Sequence, residues 1–251
     1  MTQSGPLMVS DNQIYLVPCR DANTRKLFRW VLNSFHGYMS YKDTCNRRIN
    51  WLIYAGPELA GATGINSALL ELGPRDKLIG WDRDTKTSNL GHVANHYRFC
   101  LIKHIPNLGS QVLSILEKEA PKDWLAHYGE ELWLLETLVK PPWTGVVYRA
   151  ANWQYIGQTA GFSFSKAPIK LWQKESGRRG ELARQNPKEA VRRYAVGQEY
   201  YHVQKEGVPK LIFIKPLIRK WKEKLNAAGN GKVEEELKAR EEGYTQSLLV
   251  S

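Results

Sequence analysis

The chain has 251 residues, 36 Lys+Arg against 25 Asp+Glu, a net charge of +11 and 42% hydrophobic residues. That suits one large domain, or a domain with an appendage, and excludes a disordered chain and one built of membrane-spanning helices. So positive a balance points to an acidic partner, most often a nucleic acid, with a merely soluble basic protein as the plainer alternative.

Three widely spaced cysteines (Cys19, Cys45, Cys100) form no CxxC pair and no zinc-ligand spacing. They fit a reducing compartment better than a disulfide framework. No basic stretch followed by an apolar run opens the chain, so no secretory leader is expected and the cytoplasm is the expected location. No membrane partner is expected.

Residues 1–12 read as a polar, frayed start. A short strand is expected over Ile14 to Pro18. A helix capped by Asp21 should follow, with apolar residues 27, 28, 31, 32 and 35 at helical spacing. A polar loop then carries His36, Tyr38, Tyr41 and Asp43. Ile49–Tyr54 and Ala60–Ala68 flank a Gly56-Pro57 turn and read as a hairpin. Residues 73–89 read as a polar loop around Trp81. A strand is expected near 97–102, and a helix from about 110 that ends at Pro121. The apolar run 132–139 is of buried-strand type and stops at Pro141-Pro142. A short helix over 148–153 and a strand from Tyr155 complete the first part. Lys166 to Arg193 holds nine basic and three acidic residues. A strand over 209–217, a basic helix over 217–225 and a solvated helical tail end the chain.

Four places can carry chemistry. The turn Asn107, Leu108, Gly109, Ser110 and Gln111 lies between a strand and a helix, where unpaired backbone N–H groups can hold a phosphate. The plainer reading is a helix cap at Ser110 or Asn107. In the second, Glu136 sits on an expected buried strand, where burial would raise its pKa toward that of a base. Tyr148 nearby is placed to act as an acid; ion pairing of Glu136 and core packing of Tyr148 are the alternatives. The third is the His36 loop, with groups able to transfer protons or bind a metal, although a lone histidine more often caps or hydrogen-bonds. Last is the basic set Lys166, Lys170, Lys174, Arg178, Arg179, Arg184, Arg192 and Arg193, interleaved with aromatics. It suits phosphates and exposed bases, against a solvated surface as the alternative. Trp81, Trp143 and Trp153 are candidates for stacking on a base, or for the core.

The strings VVYRAANWQYIGQTAGF, LLETLVKP, IPNLGSQVLSIL and RDKLIGWDRD…NLGHVANHYRFCLI resemble the Druantia anti-phage system protein A family, over roughly 36–217. A looser resemblance is to phage Mom DNA-modification proteins. Both resemblances imply the GCN5-related N-acetyltransferase (GNAT) fold: an α/β class with a mixed sheet flanked by helices. They place the donor's pyrophosphate at Asn107–Gln111 and a general acid at Tyr148. Relatives carry an aspartate in a VDP-like string, where this chain reads Val139-Lys140-Pro141; Glu136 is the nearest acid. The Q/R-x-x-G-x-G/A signature is also absent, so the donor is left as acyl-CoA-like or another phosphate-bearing molecule.

The organisation expected is a GNAT-like core over 13–161, a basic, DNA-contacting insertion over 162–204, a terminal strand and helix of the core over 205–225, and a tail over 226–251. The expected function is a DNA-base-modifying transferase of phage or mobile-element type. Tyr148 would protonate the leaving group and Glu136 or His36 would remove a proton. The alternative is a non-catalytic DNA-binding subunit of an anti-phage or transposition system.

Overall fold

A computed structural model of the chain describes residues 13–36, 47–168, 190–195 and 198–227. The frayed start, the loop bearing Tyr38, Tyr41 and Asp43, and the tail beyond 227 lie outside the described residues. These residues fall into two compact units. One is Met1–Val139, Trp143–Gly157 and Leu211–Ser251; the other is Lys140–Pro142 and Gln158–Lys210.

The first unit begins with β1 (Ile14–Pro18), α1 (Ala22–Phe35), β2 (Arg48–Ala55) and β3 (Glu58–Ser67). Next come α2 (Gly73–Ile79), α3 (Arg83–Asn89), β4 (Val93–Leu101) and α4 (Leu108–Tyr128). The rest is β5 (Leu134–Val139), α5 (Val146–Ala150) and β6 (Gln154–Gln158). Three strands follow, β7 (Phe162–Pro168), β8 (Ala190–Ala195) and β9 (Gln198–Glu206), and then β10 (Leu211–Pro216). A helical stretch over 221–227 closes the described chain.

Seven strands make one sheet in the order β1-β2-β3-β4-β5-β10-β6. The first four form an antiparallel meander, β4 and β5 run parallel, and β10 lies antiparallel to β5. A parallel pair at the centre, with the last strand slotted between β5 and β6, is the GNAT-like arrangement implied by the resemblance. β7, β9 and β8 form a separate three-stranded antiparallel sheet.

Sequence alternation decides which helix covers which face. In β2, Trp51 packs with Leu113, Leu116 and Trp124 of α4, while its neighbour Leu52 packs with Phe28, Val31 and Leu32 of α1. A strand covered on both faces has to be a continuous apolar run. On the α1 face, Ile79 of α2 and Leu225 join Val93, Leu134 and Ile214. On the other face, α4 and α5 cover Leu135, Val139 and Phe213. Each fully buried large side chain contributes about 1.5–3 kcal/mol.

Two expectations need correction. Residues 73–89 are two short helices, not a loop. Pro74 sits in the first turn of α2, Gly80 closes it at φ 85°, and the Asp82 carboxylate accepts from the Thr85 N–H to start α3. Pro121 does not end α4, which continues to Tyr128 and stops at Gly129, φ 70°. The last turns are held from outside. Asp123 Oδ2 accepts from Trp51 Nε1 at 2.7 Å, Trp124 Nε1 donates to the Gly91 carbonyl, and Tyr128 OH bonds both the N–H and the C=O of Arg48. Such contacts outweigh the roughly 3 kcal/mol that an interior proline costs a helix. Among the described residues no helix is long and apolar enough to cross a membrane.

Candidate functional site

β4 and β5 are registered only at Val93–Leu134, Ala94–Leu135 and Asn95–Glu136. Beyond those pairs each strand keeps its other neighbour, β3 or β10, so the sheet opens between them. A bulge in β4 marks the point of divergence: the register against β3 jumps from Gly64–Arg98 to Ile65–His96, leaving Tyr97 as the extra residue. Gly64 makes the bulge possible. A Cβ there would lie 2.5 Å from Asn50 Oδ1 and 2.9 Å from the Tyr97 ring.

At the open end, α4 starts. Asn107 is its N-cap in the left-handed region, φ 59°, and its side chain makes no cap bond. Ser110 does not cap either: its hydroxyl donates to the Asn107 carbonyl at 3.0 Å. The first internal helix bond runs from the Gln111 N–H to the Asn107 carbonyl. The N–H groups of Gly109 and Ser110 therefore stand ahead of the ladder, where the helix presents partial positive charge.

They face a cavity of about 500 Å³ lined by Asn107, Leu108, Gly109 and Ser110 together with Val146, Val147 and Ala150 of α5; Lys103 and His104 also line it. Phe35, Leu101 and Ile105 add apolar wall. The exposed Gln111 is not part of the lining. The turn and α5 are in contact, because a Cβ on Gly109 would lie 2.4 Å from Val147 Cγ2. Apolar walls ending in open N–H groups fit a phosphate-bearing donor with an apolar arm, and an acyl-CoA-like molecule is of that kind. Here Gly109 answers to the packing of α5.

Tyr148 projects from α5 into the core and is 6% exposed. Its hydroxyl lies 3.1 Å from Nδ1 of His96, which is 2% exposed. On the far side of that ring, Nε2 is 2.7 Å from Thr63 Oγ1, and Thr63 Oγ1 donates to the Arg98 carbonyl at 3.2 Å. A hydroxyl has one proton to give, so the bond to Arg98 makes His96 Nε2–H the donor to Thr63. Nδ1 then carries the lone pair and accepts from Tyr148. Burial pushes the His96 pKa down to about 3, and the ring is neutral at physiological pH. Thr137 completes the group: its hydroxyl donates to the His96 carbonyl at 3.0 Å and lies 3.4 Å from Tyr148 OH.

Glu136 is not in this constellation. It follows Leu135 and precedes Thr137 on β5, and alternation turns it to the α2 face. There it is fully buried, accepts from Arg75 Nη1 at 2.8 Å and from the Leu69 N–H at 2.9 Å. Arg75 also donates to Asp76, which accepts from Lys86, so the charges form a chain holding α2 and α3 to the sheet. Burial raises the Glu136 pKa while the Arg75 charge and the Leu69 N–H pull against it. The structure gives it ion-pair geometry.

His36 follows α1 and is half-buried; burial first, then the Arg98 charge, lowers its pKa. Phe35 beside it reaches the cavity. Among the described residues no cluster of three or more His, Cys, Asp or Glu could hold a metal. Trp153 is buried, its Nε1 bonded to Glu117, and Trp81 donates to the Leu225 carbonyl, so both serve packing; Trp143 is exposed. Lys166 lies on β7 opposite His202, and Arg192 and Arg193 lie on β8 opposite Tyr201 and Tyr200. Lys170, Lys174, Arg178, Arg179 and Arg184 lie outside the described residues.

Sequence reading missed His96, Thr63, Thr137 and Arg75. His96 sits in an ordinary strand string, and only the bulge brings it to Tyr148. Thr137 carried a usable signal, being a hydroxyl beside Glu136 in an otherwise apolar run.

The sheet order, the opening beside β4 and the helix that starts there define a protein of the GNAT-like class. The chain belongs to the family of Druantia protein DruA, whose model matches residues 10–227. No curated protein matches it. Among solved structures, FeeM, an N-acyl amino acid synthase from uncultured soil microbes, is 12% identical. It superposes with a TM-score of 0.42 over 84% of this chain and 93% of its own. A protein of Sphaerobacter thermophilus, provisionally described as an acetyltransferase, is 11% identical with a TM-score of 0.36, over 83% of this chain and 96% of its own. Both superpositions are loose.

Proposed function

We propose that this DruA-family chain is a group transferase acting in anti-phage defence, with a phosphate-bearing donor held at the start of α4 and a nucleic-acid base as acceptor. One observation carries the reading. The cavity at Asn107–Ser110 abuts the helix that supplies Tyr148, and Tyr148 is hydrogen-bonded to a neutral histidine. A donor would supply an activated group on a phosphate-bearing handle; the chain's part is to grip the phosphate and manage a proton.

A neutral His96 accepts the Tyr148 hydrogen bond without taking the proton, which keeps the phenol protonated. That state suits protonation of a leaving group. Thr137, 3.4 Å from the phenolic oxygen, can donate to it as its proton leaves by releasing the His96 carbonyl. The reacting group comes in along the opening between β4 and β5. The net charge of +11 and the basic stretch 166–193 favour a nucleic acid as the acceptor. A base within a duplex would have to be extruded first, or be single-stranded.

Mass spectrometry of nucleosides from DNA incubated with the protein, or recovered from cells expressing it, tests the reading. A new nucleoside that disappears with Tyr148→Phe is the expected result. An unchanged profile from the wild-type protein sinks it.

A second reading is favoured by the burial of Tyr148 and by the ion pairing of Glu136. In it the fold is a platform, and the chain is a non-catalytic nucleic-acid-binding subunit of the defence system. Protection against phage that survives Tyr148→Phe undiminished would select this reading.

A further inference from the structure

α1 and α2 pack on the same face of the seven-stranded sheet, and each has its own apolar floor. Leu52, Ala62 and Cys100 lie under α1, while Val93, Leu134 and Ile214 lie with Ile79 of α2. Between the two floors the same face is polar. Alternation puts Asn50 of β2, Asn66 of β3 and Asn95 of β4 there, because Trp51, Ile65 and Ala94 beside them point to the α4 face. Tyr97, the extra residue of the bulge, joins them by donating from its hydroxyl to Asn50 Oδ1 at 2.8 Å. Arg98, two residues before Cys100, shares that face. All five side chains are half-buried. Asparagine is depleted from strands, and three of them on one strip of a sheet add nothing to a core. The Asn95 carboxamide oxygen is buried without a hydrogen-bond partner, which costs about 1–3 kcal/mol until something donates to it.

Arg98 carries the unbalanced charge of this strip. Its Nη1 donates to the Tyr97 carbonyl at 2.9 Å, and its guanidinium carbon lies 4.9 Å from the centre of the Tyr97 ring. Among the described residues no carboxylate reaches it, and its Nε and Nη2 make no hydrogen bond. Glu136, which Asn95 faces in register, is already closed by Arg75. His36 at the end of α1 adds no counter-charge, since burial first and then the Arg98 charge lower its pKa. The Nε and Nη2 edge of a guanidinium is a fork that matches two phosphate oxygens.

The strip borders the opening in the sheet. Asn95–Glu136 is the last registered pair of β4 and β5, so Tyr97 and Arg98 sit on the part of β4 that has left β5. Tyr148 and His96 stand on the other face of the same opening. We infer that the strip receives the acceptor nucleotide: the Arg98 guanidinium grips the phosphate next to the target base, and the Asn95 carboxamide oxygen accepts from an N–H of that base. The base then meets Tyr148 through the opening. The inference rests on the nucleic-acid half of the function proposed above and gives that acceptor a place and two contacts.

The test is equilibrium binding of the full chain to a fluorescent single-stranded 20-mer across a salt series, with unfolding midpoints measured beside the wild type. Arg98→Gln removes the charge and keeps a donor for the Tyr97 carbonyl. About tenfold weaker binding is expected, with the slope of log K against log salt shallower by roughly 0.7 for one lost phosphate contact. Arg98→Lys should keep the slope. Asn95→Leu, close in size but without the acceptor, should bind about fivefold more weakly at unchanged slope. It should unfold no earlier than the wild type, because an unsatisfied acceptor is gone; an asparagine that served only structure would show the reverse. Wild-type affinity and slope in Arg98→Gln overturn the inference and leave the nucleic-acid reading standing. Should Arg98→Gln not fold, Asn95→Leu decides, and unchanged affinity there overturns the inference. If the wild type binds no nucleic acid, both fall. Displacement of the 20-mer by free amino acids, and not by nucleoside monophosphates, would assign Arg98 to a carboxylate and overturn the inference.

Discussion

The Tyr148 hydroxyl and His96 Nδ1 are 3.1 Å apart, and Thr63 and the Arg98 carbonyl on the other side of the imidazole fix which nitrogen carries the proton. The pair joins the parallel strand β4 to α5 across the gap where the sheet divides. Its stability consequence has a definite sign. The folded-state pKa of His96 is about 3, below an unfolded value near 6.5. Between those values the unfolded chain binds the extra proton, so the neutral ring's contribution is complete above pH 6.5 and is lost as pH falls toward 3. Unfolding free energy measured from pH 7 to pH 4 should therefore fall more steeply for the wild type than for His96→Gln, by a few kcal/mol over the range. Parallel curves would mean that His96 does not titrate as described.

Arg75 and Glu136 are both fully buried and bonded to each other at 2.8 Å. Removing one charge strands the other. Arg75→Met should cost about 3–5 kcal/mol in urea unfolding, and the double variant Arg75→Met/Glu136→Met should recover much of the loss. Recovery identifies Glu136 as a structural partner. If the double variant were as stable as wild type and had lost only protection against phage, Glu136 would return to the active group.

Much of the fold was legible because its signals are local. Ile14–Pro18, the Asp21 cap, the hairpin around Gly56 and the apolar run ending at Val139 depend on near neighbours in sequence. Pro121 was misread because the groups that carry α4 past it, Trp51, Gly91 and Arg48, are remote in the chain. Residues 73–89 were misread because two helices of seven residues leave little periodicity beside their polar surface. At the candidate site, the turn at 107–110 and Tyr148 stand out by position, while Gln111 falls outside the cavity lining. Glu136 was visible as a buried carboxylate, but its partner Arg75 lies 61 residues upstream, and the face on which it emerges depends on strand alternation. His96 acquires its role from a bulge, and one extra residue in a strand leaves no mark in composition.

Gly109 is tied to Val147 by space. A methyl group at Gly109 would lie 2.4 Å from Val147 Cγ2, so Gly109→Ala should push α5 outward and carry Tyr148 with it. Destabilisation of about 1–3 kcal/mol is expected from such overpacking. Adding Val147→Ala removes the opposing methyl groups and should restore both stability and protection against phage. If Val147→Ala fails to rescue Gly109→Ala, the glycine is required by something other than α5.

Ser110 allows donor binding and stability to be moved in opposite directions. A carboxylate in the first turn of a helix is favourable, by about 0.3–1 kcal/mol, because it faces the unpaired N–H groups. The same charge, placed where Gly109 and Ser110 are open to the cavity, repels a phosphate. Ser110→Asp should therefore unfold at a slightly higher temperature than the wild type. It should also lose the thermal stabilisation expected of coenzyme A or inorganic pyrophosphate with the wild-type protein, a shift set by ligand concentration over Kd. Ser110→Ala, which leaves the backbone donors in place, should keep most of that shift. If Ser110→Asp binds these probes as well as the wild type does, the start of α4 is not the phosphate site, and the donor half of the proposed function goes with it.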